Sequence, residues 1–201
     1  KLTLVAQLNP KRSKPHSKSR SSSLRIIGGS LKRRLIHFED AEGLRPTPDR
    51  LRETLFNWLQ FDLNQARVLD LCAGSGALGF ESLSRGAASC TFVEPNPRTL
   101  NQIRTNAETL GVSDRCHFSA LSAQQQILDT AEAFDVVFID PPFGLDLWEE
   151  LLNQLTQSRL LHPASLIYVE SDQPHDWLPK ELEQLNHKKL GSIYAGIYTP
   201  C

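Results

Sequence analysis

The residues best suited to chemistry are Asp140-Pro141-Pro142-Phe143, which follow the apolar run 134–139. That run predicts a strand buried on both faces, and two consecutive prolines must end it. Because proline fixes its φ angle, the Asp140 carboxylate and the Pro141 carbonyl would point in fixed directions. Together they could accept hydrogen bonds from one planar amino group, while the Phe143 ring stacks on the ring that carries it. An exocyclic amine of a nucleobase has this shape.

A second candidate site is a glycine-rich loop that begins at Asp70 and has the pattern Gly74-x-Gly76-x-x-Gly79. Such a loop between a strand and a helix is typical of nucleotide binding, because glycine lets a ligand approach the backbone closely. Glu94 ends the next predicted strand, where a carboxylate can hold two ribose hydroxyls. This pattern alone fits both nicotinamide dinucleotides and S-adenosylmethionine.

Asp70 favours S-adenosylmethionine. A carboxylate just before Gly74 suits a positively charged amino-acid group, whereas a pyrophosphate requires backbone N–H groups without a neighbouring carboxylate. The tetrapeptide 140–143 also has no role in hydride transfer. We therefore expect S-adenosylmethionine as the cofactor. A nicotinamide-dependent dehydrogenase is the alternative, and quenching of dinucleotide fluorescence would reveal it.

From residue 66 onward, predicted strands and helices alternate. In a parallel sheet built this way, the two loops would lie at the same edge. The predicted strands are 66–71, 88–94, 115–119, 134–139 and 166–170, and the predicted helices are 76–85, 97–110, 121–131 and 146–159. This alternation predicts an α/β fold with a parallel sheet and helices on both faces. Two final strands, 185–190 and 192–198, are separated by Gly191 alone and predict a closing antiparallel hairpin.

The sequence before residue 61 predicts two further parts, an N-terminal arm and a small folded extension. Residues 9–23 have nothing that could build a core, and we expect residues 1–23 to form a disordered basic arm. Residues 24–60 predict a β-hairpin that turns at Gly28-Gly29 and a helix that is capped by Thr47 and ends near Gln60. The apolar face of that helix predicts four buried residues, Leu51, Leu55, Trp58 and Leu59. Residues 61–201 would form the catalytic domain.

The charge is unevenly distributed. Residues 1–38 contain ten Lys and Arg and no Asp or Glu, although the net charge of the chain is −1. A basic arm on an acidic body indicates a polyanionic partner, and the simpler alternative is a solvated tail. The charged residues near the start of the predicted helix are Arg45, Arg50, Arg52 and Glu53, and by themselves they fit surface salt bridges.

The composition argues against several other classes. The four cysteines lack a metal-binding spacing and the six histidines include no i, i+4 pair, so no metal site is predicted. Free thiols fit a reducing compartment, and no apolar run is long enough to span a membrane. We expect a cytoplasmic protein without membrane contacts.

The two loops together resemble a known enzyme class. The Asp70 loop, with Gly74, Gly76 and the distal Glu94, resembles motif I and the acidic loop of class I S-adenosylmethionine-dependent methyltransferases. The tetrapeptide 140–143 resembles motif IV of those members that methylate amino groups.

The N-terminal part narrows this resemblance to one family. The runs 25–29, 44–47, 49–50 and 52–59 resemble the signature of the bacterial ribosomal RNA guanine-N2 methyltransferases of the RsmD type, which act on 16S ribosomal RNA. Two positions depart from the family pattern. Residues 31–34 replace a Trp-Arg-Gly-Arg-like run, and Ala120 stands where a polar residue near the cofactor adenine is usual. Ser119 or Ser122 could take over that contact.

The resemblance implies a Rossmann-like, seven-stranded, mostly parallel sheet with an antiparallel last strand, preceded by a small β-hairpin and helix. It implies methylation of a guanine N2 amine in 16S ribosomal RNA, within an assembling small ribosomal subunit. It also implies three groups of site residues: catalytic Asp140, Pro141 and Phe143; cofactor-binding Asp70, Gly74, Gly76, Glu94 and Ser119; and substrate-binding Arg25, Arg33, Arg34, Arg45, Pro46 and Thr47.

Alternatives to this hypothesis remain open. The same chemistry could act on adenine N6 in DNA or RNA, or on a glutamine amide of a protein, since related tetrapeptides serve both. An RNA-binding module with a vestigial pocket belongs to another class, and calorimetry would distinguish it because a degenerate loop binds no cofactor.

Overall fold

The computed structural model describes residues 21–39, 47–130 and 132–201. Its strands are β1 Ser21–Arg25, β2 Leu35–Glu39, β3 Arg67–Asp70, β4 Ser89–Val93, β5 Cys116–Ser119, β6 Phe134–Ile139, β7 Leu161–Ser171, β8 Leu182–Leu190 and β9 Ile193–Pro200. Its α-helices are α1 Asp49–Trp58, α2 Ala77–Ser84, α3 Pro97–Leu110, α4 Ala123–Asp129 and α5 Trp148–Thr156. Of the predicted basic arm, residues 1–20 lie outside the described residues, and residues 21–23 belong to β1. No helix in the described ranges combines the length and the apolar character that a membrane span requires.

Within the described residues, seven strands form the main sheet in the order β5-β4-β3-β6-β7-β9-β8. The five strands from β5 to β7 pair in parallel, whereas β9 is antiparallel to both β7 and β8. The predicted α/β sheet and its antiparallel last strand are therefore confirmed. The chain runs outward from β3 to β5 and then returns to β6, so the strand order reverses between β3 and β6. Ligands of open α/β sheets bind at such a switch point, beyond the carboxyl ends of the strands.

Strand β6 is buried on both faces, as its sequence predicts. Val136 and Phe138 join one core with α1, α2, α3 and the small hairpin, while Val137 and Ile139 join a second core with α4 and α5. Each apolar side chain buried in this way contributes about 1.5–3 kcal/mol. The two cores fix the end of β6, and therefore the place where Asp140 leaves the sheet.

The predicted N-terminal hairpin is present, but its turn differs from the prediction. Strands β1 and β2 pair antiparallel, and residues 26–34 connect them in place of a tight turn at Gly28-Gly29. The loop is longer because it folds onto α2. The N–H groups of Ile27 and Gly28 donate to the two carboxylate oxygens of Glu81, at 2.7 and 2.8 Å. Gly29 has φ +74°, and a Cβ there would lie 1.9 Å from the Ser84 carbonyl oxygen.

The prediction that Thr47 caps α1 is wrong. The helix begins at Asp49 after Pro48, and no side chain makes a capping hydrogen bond. The Thr47 hydroxyl lies instead among carboxylates of the main sheet. The helix also ends at Trp58, slightly before the expected Gln60.

Arg52 is fully buried, so surface salt bridges, the simpler alternative for the charged cluster at the start of the helix, do not describe its contacts. Its guanidinium donates to the Arg25 carbonyl at 3.1 Å and to the Asp49 carboxylate at 2.6 Å, and lies 4.0 Å from Glu81. Arg52 therefore joins β1, α1 and α2. The predicted burial of Leu51, Leu55 and Leu59 is confirmed, whereas Trp58 is only partly buried.

Candidate active site

A cavity of about 630 Å³ lies beyond the carboxyl ends of β3, β4, β6 and β7. Four carboxylic acids line it, Asp70, Glu94, Asp140 and Glu170, and the described lining residues include no Lys or Arg. A cavity of this size holds a ligand of ordinary cofactor size, and its acidic lining favours a positively charged one. Among the described residues, including these four acids, no group of three His, Cys, Asp or Glu side chains could hold a metal ion.

Glu94 fixes the shape of the glycine loop. One of its carboxylate oxygens accepts the Gly74 N–H at 3.1 Å, and the other accepts the Asn96 N–H at 2.8 Å. Gly76 precedes α2 with φ +78°, and a Cβ there would lie 2.8 Å from the Phe80 ring. A side chain at position 76 would therefore strain the backbone and displace that ring. Burial is the main cause that raises the pKa of Glu94 above its usual value.

Asp70 ends β3 at the bottom of the cavity and is 2% exposed. It accepts the N–H of Gly79, the third glycine of the loop, at 3.2 Å. Burial raises its pKa from the usual 3.8 to about 7; the hydrogen bond from Gly79 opposes that rise and the charge of Glu94 adds to it. A cation bound nearby would lower the pKa of Asp70 and favour its charged form. The resulting carboxylate would in turn attract the cation.

Asp140 leaves β6 one residue after the strand ends, and its side chain lines the cavity next to Pro141. Its pKa is raised well above the usual range, first by burial and then by the charges of Glu170 and Asp70. A hydrogen bond from the Thr47 hydroxyl, at 3.3 Å, acts in the opposite direction. The carboxyl of Asp140 is therefore neutral over a wider pH range than an exposed aspartic acid.

Phe143 begins a short 3-10 turn after the two prolines and lines the cavity. The centre of its ring is 5.9 Å from that of Trp148, at an interplanar angle of 48°. The Trp148 indole N–H in turn donates to the Glu170 carbonyl at 2.7 Å. The ring of Phe143 is thus supported from behind by the second core and stays partly accessible to a ligand.

Sequence reasoning did not identify Glu170 as a site residue. This glutamate lies near the end of β7, is 2% exposed, and accepts hydrogen bonds from the hydroxyls of Thr47 at 3.0 Å and Tyr168 at 2.9 Å. The available signal was its position near the carboxyl end of a buried strand beside β6, the same argument that identified Asp140. Thr47 was predicted to contact the substrate, and the structure places it on the cavity wall.

The structure brings seven of the fourteen predicted site residues together at the cavity. Asp70, Gly74, Glu94, Asp140, Pro141, Phe143 and Thr47 all line the cavity, whereas Gly76 shapes the loop from behind. Ser119 does not line it: its hydroxyl accepts the Leu121 N–H, at 3.4 Å. Ser122 lines the cavity and also caps α4.

The predicted substrate-binding arginines of the hairpin do not line the cavity. Arg25, Arg33 and Arg34 are exposed on the hairpin, where the guanidinium of Arg34 donates to the Thr109 carbonyl at 2.7 Å. Arg45 and Pro46 lie outside the described residues. Their immediate neighbour Thr47 is on the cavity wall.

Comparisons with known proteins identify relatives of the whole folded part. Residues 24–199 match the family model described as "Conserved hypothetical protein 95". Ribosomal RNA small subunit methyltransferase D of Haemophilus influenzae is 40% identical over 182 residues, which cover 87% of this chain and 93% of that protein. The protein of the same name from Escherichia coli strain K12 is 42% identical over 154 residues, 77% of each chain.

A solved structure agrees with these sequence relatives. The Escherichia coli protein yhhF superposes with a TM-score of 0.79 at 34% identity, covering 89% of this chain and 98% of that one. The residues that match the family model, 24–199, include the main sheet, the residues that line the cavity and most of the N-terminal hairpin. The chain belongs to the family of the ribosomal RNA small subunit methyltransferase D proteins.

Proposed function

We propose that the chain transfers a methyl group from S-adenosylmethionine to the exocyclic N2 amine of a guanine in small-subunit ribosomal RNA. The observation that carries this proposal is the Asp140 carboxyl and Pro141 at the end of β6, which line the same cavity as the Glu94-bound glycine loop. The named relatives support ribosomal RNA as the substrate, because both are ribosomal RNA methyltransferases.

The residues around the cavity fit this cofactor. Each oxygen of Glu94 accepts one backbone N–H and retains a lone pair that a ribose hydroxyl can use. Asp70 and the other acids suit the positive charges of a sulfonium and an ammonium group, and they would repel a pyrophosphate. When bound, the cofactor supplies a methyl group on a positively charged sulfur. Ser122, which lines the cavity, is better placed than Ser119 to reach an adenine.

The guanine would be turned out of its stack to enter the cavity. The Asp140 carboxylate and the Pro141 carbonyl would accept its two amine hydrogens, which directs the nitrogen lone pair toward the methyl group. The Phe143 ring, supported by Trp148, would stack on the base. Most of the rate enhancement would then come from positioning and from charges that are already in place.

The hairpin would form the RNA-binding side. Arg25, Arg33 and Arg34 are exposed there, and the basic residues of the N-terminal arm precede them in sequence. These side chains would contact phosphates without reading sequence, so affinity should fall steeply with salt. We also infer that Arg45 and Pro46 reach the substrate, because the next residue, Thr47, lies at the cavity.

This assignment divides the chain by role. Residues 1–23 would serve as the basic arm, 24–60 as the RNA-binding extension, and 61–201 as the methyltransferase domain. The proposed substrate is 16S ribosomal RNA within an assembling small subunit. The proposal therefore places the chain in the cytoplasm, where bacterial ribosomal subunits are assembled.

The test is transfer of labelled methyl groups to 16S RNA and to partly assembled small subunits. We expect label in N2-methylguanosine with the unmodified chain, and a rate about 10²–10⁴-fold lower with Asp140→Ala. Asp129→Ala, at the exposed end of α4, is the matched control and should retain full activity. Label in adenine or in a protein would replace the proposed substrate, and equal activity of Asp140→Ala would remove the proposed catalytic residue.

A further inference from the structure

A lysine on the edge strand β8 lies level with the proposed catalytic residue, although it is distant from it in sequence. The pairing of β6 with β7, continued by one residue, brings Asp140 level with Glu170. Glu170 pairs with Ala195 on β9, and Ala195 pairs with Lys188 on β8. These four residues form one row across the sheet. At about 4.8 Å between neighbouring strands, Lys188 lies about 14 Å from Asp140 along this row.

The side chain of Lys188 is held against α1. Its Nζ donates to the Thr54 hydroxyl at 2.9 Å, and that hydroxyl donates to the Arg50 carbonyl at 3.0 Å. The same two parts of the fold contribute to the cavity wall, since Pro48 precedes α1, Ile193 begins β9, and both line the cavity. The ammonium group of Lys188 therefore lies beside the proposed active site, on the side where α1 packs.

Arg50 adds a second cation to this surface. It precedes Thr54 by one helical turn, so both residues lie on the same face of α1, and its side chain is exposed. Among the described residues, neither Arg50 nor Lys188 forms an ion pair, and Asp49 pairs with Arg52 instead. An ammonium group has three hydrogens, of which Thr54 accepts one. Both cations can therefore bind an anion from solution.

The character of the cavity indicates which anion this is. Four carboxylic acids line the cavity, and its described lining residues include no Lys or Arg. A nucleic acid that inserts a base there must keep its phosphates outside, because the acids repel them. Cations at the rim are the groups that bind those phosphates, and such contacts fix the position of a strand without reading its sequence.

We propose that Lys188 and Arg50 bind a backbone phosphate of the RNA strand next to the guanine that enters the cavity. This inference rests on the proposed function, because it names a contact that positions the strand for methylation. The exposed arginines of the hairpin lie toward the other edge of the sheet: Arg34 donates to the Thr109 carbonyl on α3, which packs on β5, whereas β8 is the opposite edge strand. The RNA would then be held on both sides of the cavity.

Filter binding of 16S RNA, in the presence of S-adenosylhomocysteine, tests the site. We expect Lys188→Gln and Arg50→Gln each to weaken binding about 5-fold. Each should also reduce the slope of log affinity against log salt concentration by about 0.7–0.9, the value for one phosphate contact. Lys188→Arg keeps the charge and should bind RNA nearly as wild type. The dissociation constant of S-adenosylhomocysteine should stay unchanged, because neither residue lines the cavity.

Two other lysines provide matched controls. Lys189 is the next residue on β8 and lies on the opposite face, where its Nζ is 4.7 Å from the centre of the Tyr194 ring. Lys180 is exposed and precedes the other end of β8. Lys189→Gln and Lys180→Gln should bind RNA as wild type. If either weakens binding as much as Lys188→Gln, the effect is one of general charge, and the proposed site is overturned.

Arg50→Gln separates phosphate binding from a structural effect. Lys188 joins β8 to α1 through Thr54, so Lys188→Gln removes a contact within the fold as well as a charge. The exposed side chain of Arg50 does not join these elements. If Lys188→Gln weakens RNA binding while Arg50→Gln binds as wild type with an unchanged salt slope, the role of Lys188 is structural and the phosphate site is overturned.

Methyl transfer distinguishes failure of this inference from failure of the proposed function. In both glutamine variants the KM for 16S RNA should rise about 5-fold while kcat stays unchanged, because the contact is equally strong before and during the reaction. If the wild type methylates 16S RNA and both variants match its affinity, salt slope and KM, the phosphate site is wrong and the methyltransferase assignment stands. If the wild type binds 16S RNA through Lys188 and Arg50 but methylates none of it, the proposed function fails and the RNA contact stands.

Discussion

Replacing Asp70 with asparagine is expected to stabilise the free protein while it weakens cofactor binding. Asp70 is 2% exposed and accepts the Gly79 N–H at 3.2 Å, and a backbone hydrogen bond from Cys72 also favours its charged form. The side-chain oxygen of asparagine can accept the same bond and carries no charge. The substitution therefore keeps the contact and removes the cost of a buried charge.

The size of the effect follows from the raised pKa of Asp70. Folding raises that pKa from 3.8 to about 7, so between these values the folded state holds a proton that the unfolded state has lost. The free energy of unfolding of the wild type must then decrease as the pH rises through this window. At about 1.4 kcal/mol per pKa unit, the loss is about 1.5 kcal/mol by pH 5 and about 4 kcal/mol by pH 8. Asp70→Asn avoids this loss.

Urea denaturation at pH 5 and pH 8 measures this difference directly. We expect the stability gain of Asp70→Asn to be larger at pH 8, by about 2–3 kcal/mol. Asp129→Asn, on the exposed end of α4, should change stability little at either pH. Calorimetry at pH 8 should show S-adenosylmethionine binding about 10- to 100-fold more weakly, since a hydrogen bond to a charged group contributes about 1.5–3 kcal/mol.

Two results would refute this reasoning. If the variant is no more stable than the wild type at pH 8, burial does not disfavour the charge of Asp70. If the gain is the same at both pH values, the stabilisation has a cause other than titration. Unchanged cofactor affinity would separately remove Asp70 from the binding site.

Two further predictions concern other carboxylates. Glu81→Gln places an amide N–H₂ group against the loop N–H groups of Ile27 and Gly28. We expect the substitution to lower the free energy of unfolding, measured by urea denaturation, by about 2–4 kcal/mol. An unchanged midpoint of urea denaturation would contradict this role of Glu81. Glu94→Gln should weaken S-adenosylhomocysteine binding about 10- to 100-fold in calorimetry, because one of the N–H groups of Gly74 and Asn96 loses its acceptor. Glu108→Gln on exposed α3 is the control, and equal affinities of all three proteins would refute the second prediction.

The elements with strong local signals were predictable from sequence. Strand β6 and helix α3 have the bounds that the sequence predicts, since one is an unbroken apolar run ended by prolines and the other starts at a proline and ends before Gly111. The glycine loop and the tetrapeptide 140–143 also stand at the sheet edge where the alternation of strands and helices places them. Each of these features is decided by residues that are close in sequence.

The features that were missed depend on contacts between distant parts of the chain. The residues next to Thr47 predict that it caps a helix. In the structure its hydroxyl instead donates to Glu170, which lies 123 residues further along the chain. The sequence around Arg52 is compatible with a surface residue. In the structure the hairpin and α2 bury it, and it contacts the Arg25 carbonyl and the Glu81 carboxylate. The length of the hairpin loop is likewise set by Glu81 on α2. No local pattern contains this information.

The attachment of the hairpin to α2 has a consequence for engineering RNA specificity. The loop 26–34 is held by Glu81 and Ser84 on α2, and Arg52 on α1 donates to the carbonyl of Arg25, the last residue of β1 before the loop. A hairpin taken from a relative would therefore arrive without its matching partners unless those three positions were transplanted with it. The exchangeable unit in a chimera is the hairpin together with these residues, although they are scattered along the sequence. Chimeras cut at residue 60 should fold less well than chimeras that carry the whole set.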